Sequence, residues 1–248
     1  MIKLIVKYYH MLSSPPHFYR IAGKILPWLT VIAVVLFVYG LYGGLIAAPT
    51  DYKQGDSYRV IFIHVPTAVM SMQIYIIMAI CGAIVLIWRM KLAEVVLISS
   101  AYIGAVYTAI ALITGMIWGK PTWGTYWIWD ARLTSELLLL FLYFGVIALY
   151  SSIEDKRTAA KAVSILALVG VVNVPIIYYS VIWWNTLHQG ASISTSGSTI
   201  QTSMLIPLLV MTTAFKIHYI IALLLRSRNE LLQREVNSKW VKELVETA

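Results

Sequence analysis

The sequence predicts an all-α membrane protein with six transmembrane helices, a single domain over residues 1–248, and both termini in the cytoplasm. Apolar residues make up 60% of the 248 residues and charged residues only 12%, a balance at which a soluble domain would aggregate. The apolar residues gather in six stretches that are each long enough to cross a bilayer. The cations between these stretches concentrate on one side, which sets the orientation.

Each of the six apolar stretches is predicted to be a helix, because a segment that crosses lipid must satisfy its own backbone hydrogen bonds. Their connections are short, so successive helices should pack as antiparallel neighbours. The N-terminal stretch 1–24 is basic and lacks a small-residue cleavage site, so we expect the first span to remain as an anchor. The predicted spans cover approximately residues 26–46, 60–88, 95–117, 133–151, 162–183 and 202–225.

Lys and Arg residues orient the chain, since cytoplasmic connections carry an excess of them. Of the 19 Lys and Arg residues, only Lys53, Arg59, Lys120 and Arg132 fall in connections on the predicted outer side. Most of the others lie in the N-terminal tail, the second and fourth connections, and the cytoplasmic tail 226–248. This contrast accounts for the net charge of +8. The cations face the cytoplasm and the membrane lipids, so nucleic-acid binding is not needed to explain them.

Four tryptophans stand within twelve residues, in Trp-Gly-Lys-Pro-Thr-Trp-Gly-Thr-Tyr-Trp-Ile-Trp-Asp. We call residues 118–132 the tryptophan segment, and we predict it as an outward-facing connection. A membrane interface ordinarily uses one or two such rings per helix end. Four rings interleaved with two glycines predict a broad aromatic surface suited to a large flat ligand. The residues concerned are Trp118, Trp123, Trp127 and Trp129, followed by Asp130.

Two histidines, His64 and His188, are predicted near the outer face. Pro66 is expected in the first turn of the second span, which puts His64 at the helix entry, and His188 follows the fifth span. A structural zinc site needs four nitrogen or sulfur ligands, whereas haem iron needs only axial ligands, often imidazole. Two histidines beside an aromatic surface therefore favour haem over a bare metal. His10 and His17 are expected to be surface side chains of the N-terminal tail.

Haem also carries two propionates, for which the planar donor fork of arginine is well suited. Arg59 and Arg132 are the candidates, with Lys120 as a third; the alternative for each is a cation that reaches to the membrane interface. Asp130 is expected to cap the fourth span, although Thr134 or Ser135 could do so instead. Glu136 is expected to pair with Arg132 across one helical turn.

Polar residues interrupt two of the predicted spans. Pro175 should weaken or kink the fifth span, because it removes a backbone donor, and Asn173 could bond a freed carbonyl. Lys216 and His218 fall in the sixth span. Either they lie deep in the bilayer and have a function, or the span ends near residue 217 and residues 218–236 form an interfacial helix. Cys81 is expected to be a small buried apolar side chain.

The run at 123–130 resembles the WWD signature of the haem-handling proteins of cytochrome c maturation. In length and six-span layout the chain is similar to the CcmC family of the system I pathway, over approximately residues 15–225; the larger WWD relatives have more spans. Further motifs extend the resemblance: His64-Val-Pro66, Trp118-Gly-Lys-Pro, Ala-Arg-Leu-Thr-Ser-Glu136 and Trp183-Trp-Asn-Thr-Leu-His-Gln-Gly190.

This resemblance implies a haem exporter and delivery protein of the bacterial inner membrane rather than an enzyme. It implies that His64 and His188 are the axial ligands of a non-covalent haem b on the periplasmic side, with the tryptophan segment as a platform. It also implies transfer of haem to the chaperone CcmE, and work with the small membrane protein CcmD and the ABC transporter CcmA–CcmB.

Two other functions remain open at this point. One is a membrane haem b subunit of a quinol oxidoreductase, which usually places histidine pairs on helices at two depths. The other is a permease that carries haem or another small molecule across the bilayer.

Overall fold

The computed structural model describes residues 14–190, 192–194 and 197–246, so Lys3, Lys7 and His10 lie outside it. A π-helical turn (Tyr42–Ala47) follows the first helix, and a 3-10 turn (Asp56–Val60) precedes the second. A short hairpin pairs β1 (Ile193–Ser194) with β2 (Gly197–Ser198). The α-helices are α1 (Pro15–Leu41), α2 (Ile61–Trp88), α3 (Lys91–Trp123), α4 (Ala131–Ser152), α5 (Lys156–Gly170), α6 (Asn173–Trp183), α7 (Thr202–Arg234) and α8 (Lys239–Glu246).

Six helical segments in the described part of the chain are long and apolar enough to cross a membrane, which confirms the predicted fold class. They exceed the predicted lengths, because the helices continue beyond the hydrocarbon core into their polar ends. The six segments are Pro15–Ala47, Asp56–Trp88, Lys91–Trp123, Ala131–Ser152, Lys156–Trp183 and Thr202–Arg234.

The core lies among α2, α3, α4 and α5, where Tyr75, Leu97 and Tyr143 are fully buried. Helices α1 and α7 pack against each other at the side of this bundle. Close approach at the C-terminal end of α1 depends on Gly44, since a Cβ there would lie 2.6 Å from the ring of Phe62. Phe62 stands two residues before His64 on α2, so this packing lies at the end of the bundle that carries His64.

Helix α3 runs past the predicted end at residue 117 and reaches Trp123. Gly124 ends it in the left-handed conformation (φ +80°) and donates its N–H to the carbonyl of Lys120, the usual way for a helix to stop. Trp118 and Trp123 are therefore helical, and the loop proper is only residues 124–130. Pro66 also differs from expectation, because the 3-10 turn starts the helix early and leaves Pro66 inside α2.

The fifth span is interrupted at residues 171–172, since α5 ends at Gly170 and α6 begins at Asn173, which agrees with the weakening expected from Pro175. Pro175 stands in the first turn of α6, where a missing N–H costs least. The side-chain amide of Asn173 donates to the carbonyl of Ser135 on α4 at 2.8 Å. This bond ties α6 to the start of α4, close to the tryptophan segment.

Helix α7 continues without a break to Arg234, so residues 218–234 prolong the sixth helix, and the level at which it leaves the membrane stays a prediction. It packs along α3 from Phe215 to Arg234. His218 Nδ1 lies 2.8 Å from the hydroxyl of Tyr107, and Arg234 pairs with Glu94 at 3.1 Å. These contacts on a neighbouring helix hold α7 in the bundle through the stretch where its sequence becomes polar.

Candidate functional site

His64 and His188 line one cavity of about 400 Å³, although 124 positions separate them in sequence. The size lies within the range of small-molecule sites. Trp118 and Trp123 form part of the same wall. A smaller void of about 40 Å³ touches both histidines and is also lined by Arg132 and Glu136. The cavity therefore joins an aromatic wall, two imidazoles and a buried charged pocket.

His64 projects from α2 toward α3 and is held there through its Nδ1 atom. This atom lies 3.0 Å from the carbonyl oxygen of Ala111 and 3.2 Å from the hydroxyl of Thr114. A carbonyl only accepts, so Nδ1 carries the proton and Nε2 keeps its lone pair. Gly115 makes room for the ring, since a Cβ there would lie 3.0 Å from Cε1. His64 is thus presented as an Nε2 ligand.

His188 lies in the loop after α6, where its Nδ1 faces Asp130 without a hydrogen bond. Its Nδ1 is 3.5 Å from Oδ2 of Asp130, an ion-pair distance longer than an ordinary hydrogen bond. Burial lowers the pKa of His188 below its usual value, and the Asp130 carboxylate only partly opposes this effect. The imidazole is therefore neutral at pH 7. The carboxylate on the Nδ1 side leaves Nε2 for a ligand, as in carboxylate–histidine–metal arrangements.

Asp130 is held in place by its role at the start of α4. Its Oδ1 accepts from the backbone N–H of Leu133 at 2.8 Å, so Asp130 caps the helix as predicted. The alternative caps are wrong. Ser135 donates instead to the carbonyl of Ala131 at 2.6 Å, and the N–H of Thr134 bonds the backbone carbonyl of Asp130. With one oxygen fixed by the helix, the other oxygen is aimed at His188.

The four tryptophans divide into two pairs. Trp118 donates its indole N–H to the side-chain oxygen of Gln54 at 2.7 Å and meets the His64 ring edge-on at 5.7 Å between centroids. Trp123 packs on His188 at 4.7 Å. Trp127 and Trp129 pack against each other at 5.3 Å on the loop, outside the residues that line the cavity, and Trp129 is 76% exposed.

The predicted propionate-binding cations occupy different positions. Arg59 is turned toward the protein, where it donates to the carbonyl of Gly44 and to Asp56, both at 3.0 Å. Lys120 donates to the carbonyl of Gly124 at 3.1 Å. Lys53, which the sequence did not single out, lines the main cavity.

Arg132 lies at the deeper end of the site and donates to the carbonyl of Ile177 at 3.0 Å. Its expected ion pair with Glu136 is wrong. Glu136 instead accepts from the hydroxyl of Ser71 on α2 at 2.7 Å, and no ion pair within 4.0 Å joins it to Arg132 among the described residues. The two side chains reach to different helices, so helical spacing alone did not decide their partners.

Comparison with known proteins identifies the group to which this arrangement belongs. The sequence profile of the family described as "Heme exporter protein C" matches residues 8–242. The chain belongs to the heme exporter protein C family. It is 50% identical over 236 residues to "Heme exporter protein C" of Escherichia coli strain K12, which covers 95% of this chain and 96% of that relative.

Two further relatives match most of the chain or about three quarters of it. The Haemophilus influenzae protein of the same name is 47% identical over 242 residues, or 97% of this chain and 98% of the relative. A "Putative cytochrome c biosynthesis ccmC-like mitochondrial protein" of Marchantia polymorpha is 44% identical over 188 residues, or 76% of this chain and 77% of the relative. The similarity thus extends across the six spans.

In this member of the heme exporter protein C family, the residues that hold His64 on α3 were not found from the sequence, whereas Trp118, Trp123 and Asp130, which contact the histidines, were. Thr114 stands four residues before Trp118 on α3, so helical spacing could have placed it on the cavity side. Gln54 and Gly115 gave no signal, because their roles depend on contacts between separate elements. Groups of three or more His, Cys, Asp or Glu side chains able to hold a metal ion are absent among the described residues. The two imidazoles of His64 and His188 instead fit a macrocycle, which supplies its own equatorial nitrogens and needs only axial ligands from the protein.

Proposed function

We propose that this chain binds haem at the outer face of the bacterial inner membrane and delivers it to the chaperone CcmE during the maturation of c-type cytochromes. The single observation that carries the proposal is the pair of imidazoles in one cavity. Nδ1 of His64 is hydrogen-bonded and Nδ1 of His188 faces a carboxylate, so each ring keeps Nε2 for a bond to iron. The names of the relatives, which describe haem export, support the same cargo.

The residues of the cavity wall have distinct tasks in this proposal. His64 and His188 hold the iron, and Trp118 and Trp123 cover the porphyrin with apolar surface. Arg132 neutralises one propionate, because its guanidinium lines the inner void beside both histidines and is held there by the carbonyl of Ile177. Lys53 is suited to the second propionate at the wall of the main cavity. Haem supplies the iron and the planar ring, and the chain supplies binding and orientation.

Trp127, Trp129 and Arg59 are assigned to the periphery of the haem site. Trp127 and Trp129 immediately precede Asp130 on the loop, and the exposed ring of Trp129 is available to the open edge of haem or to the arriving chaperone. Arg59 joins the end of the first span to the start of the second through Gly44 and Asp56. It therefore supports the outer loops that carry Lys53 and Gln54.

The distribution of Lys and Arg, which favours cytoplasmic termini, supports a periplasmic position for the site. In this orientation the cavity faces the compartment in which c-type cytochromes are assembled. We propose CcmD and the ABC transporter CcmA–CcmB as further partners. The chain acts by positioning and releasing its cargo, and exchange of one axial imidazole would let the haem leave.

Absorption spectroscopy of the purified protein tests the ligand assignment. His64→Ala and His188→Ala should each diminish or shift the Soret band, because each removes one axial nitrogen. His17→Ala and His218→Ala are matched controls that should keep the wild-type spectrum, since neither residue lines the cavity. A wild-type spectrum in both His64→Ala and His188→Ala would falsify the assignment.

The quinol oxidoreductase alternative is tested separately by a redox titration. Both histidines belong to one cavity, whereas the subunits of that class use histidine pairs at two depths. Reduced quinol added to the purified, haem-loaded protein should therefore not reduce the haem rapidly. Rapid reduction would favour the oxidoreductase instead.

A further inference from the structure

Lys216 lies at the middle of the membrane-spanning part of the bundle. The depth of this part of α7 is given by Tyr107 of α3, whose hydroxyl donates to the carbonyl of Phe215 at 3.0 Å. The nearest charged residues on either side of Tyr107 in α3 are Glu94 and Lys120, each about 20 Å away at the rise of an α-helix. Lys216 follows Phe215 directly, so its backbone is at the centre of the hydrocarbon core.

The side chain of Lys216 faces away from the protein. It belongs to a row of exposed residues that recur at intervals of three and four along α7, which defines one helical face. We call this row the α7 stripe, and it consists of Ile206, Leu209, Thr213, Lys216 and Ile220. His218 points elsewhere, into the contact with Tyr107 and Phe37. The α7 stripe shares no residue with the histidine cavity.

The charge of Lys216 has no counterpart in the described part of the chain. The described residues include every Asp and Glu, and none of them forms an ion pair with Lys216. The hydroxyl of Thr213, one turn away, donates to the carbonyl of Leu209 at 2.9 Å, and a neutral hydroxyl would not balance the charge of Lys216. A cation at this depth is costly and in membrane proteins is paired with another polar group. Polar contacts of this kind hold helices together in lipid.

We propose that the α7 stripe is the docking surface for a transmembrane helix of another protein, which carries a carboxylate at mid-membrane depth opposite Lys216. Charge complementarity decides the chemistry of this partner. The surrounding apolar side chains of the stripe would pack along the partner helix, and the ion pair would set its register.

A second copy of this chain does not meet the requirement. Glu136 is buried at 7% exposure and bonded to Ser71. Glu94 and Glu230 lie at the opposite end of α3 and α7 from the cavity, where both contact Arg234. The chain therefore presents no exposed carboxylate at the level of Lys216, and the partner is a different protein.

The test uses the full chain in phosphatidylcholine vesicles with a synthetic leucine-rich transmembrane peptide that carries one central Glu. A matched peptide has Leu at that position. Energy transfer between labelled chain and labelled peptide should report association about tenfold tighter for the Glu peptide. Lys216→Leu should abolish this preference and Lys216→Arg should keep it. Lys161→Leu, which removes an exposed cation near a helix end, should leave it unchanged.

Three outcomes would overturn the proposal. The first is equal association of the two peptides with the wild-type chain. The second is an undiminished preference for the Glu peptide in Lys216→Leu. The third is loss of the preference when phosphatidylglycerol is added, because Lys216 would then be satisfied by lipid phosphate. Circular dichroism checks that each variant is folded, and Lys216→Leu places an apolar side chain at a lipid-facing position, which favours insertion.

Discussion

The carboxylate of Asp130 contacts both the start of α4 and the imidazole of His188. Its Oδ1 accepts the N–H of Leu133 at 2.8 Å, and its Oδ2 lies 3.5 Å from Nδ1 of His188. The helix cap restricts the rotation of the side chain, so the second oxygen is held toward the ring. The acid that closes the tryptophan segment therefore orients a histidine rather than lining the cavity itself.

Asp130→Asn removes the charge of this side chain but keeps its role as a helix cap. Asparagine caps helices as well as aspartate does, so α4 should remain intact while His188 loses its anionic partner. Loss of such a partner typically weakens metal affinity by about 10–100-fold. We expect the variant to lose haem to apomyoglobin about 10–100-fold more readily than the wild type. The midpoint potential of the bound haem should also shift.

Asp130→Glu and Asp130→Ala serve as the comparison for that variant. Glutamate keeps the charge, so the midpoint potential should return part of the way to the wild-type value. Alanine removes both the charge and the cap, so it should also lower the stability of α4 by about 1 kcal/mol. If Asp130→Asn retains haem with the wild-type rate and potential, the carboxylate does not act on His188.

Haem retention should depend on pH through His188. Burial lowers the pKa of this imidazole in the folded chain, so the neutral form persists below the usual value of about 6.5. The unfolded chain binds the proton more readily, so the contribution of His188 to folding is full above pH 6.5 and declines as the pH falls. Retention should be constant from pH 8 to about 6.5 and decrease only in more acidic buffer.

The control for the pH dependence is His188→Ala, in which the acidic decrease should be lost or displaced. Titration of the wild-type Soret band and of thermal unfolding over the same buffers provides the measurement. A decrease centred above pH 7 would contradict the lowered pKa of His188.

The bond between Trp118 and Gln54 couples the first outer loop to α3. Trp118→Phe removes the indole donor and Gln54→Leu removes the acceptor, with the two groups 2.7 Å apart in the wild type. A hydrogen bond of this kind contributes about 0.5–1.5 kcal/mol. A double-mutant cycle on unfolding in detergent should give a coupling energy of this size, whereas additive effects would mean that the bond is absent in solution.

Gly44→Ala tests the packing that joins the first span to the rest of the bundle. The new Cβ would lie 2.6 Å from the Phe62 ring, and such overpacking destabilises a protein by about 1–3 kcal/mol. Gly190→Ala is the matched control, because nothing lies within 4 Å of its Cβ. Thermal unfolding should shift for the first variant only; equal midpoints would show that α1 adjusts freely.

Much of the fold could be predicted because hydropathy and cation placement are properties of short stretches of chain. The six spans follow from apolar length, and the capping role of Asp130 follows from its position before α4. The ends of the helices were less predictable. Gly124 ends α3 only after Trp123. Contacts with Tyr107 and Glu94 keep α7 packed against α3 beyond the polar residues in its middle.

The sequence by itself determined the membrane class, the family motifs and the two histidines as candidates for binding iron. Only the tertiary structure decided that Nδ1 of His64 bonds to α3 while Nδ1 of His188 faces Asp130. It also decided that Arg59 turns to Gly44 and that Glu136 reaches Ser71. The reason is physical. The hydropathy of a span is summed over its own residues, whereas the direction of a polar side chain depends on donors and acceptors that other helices bring to it.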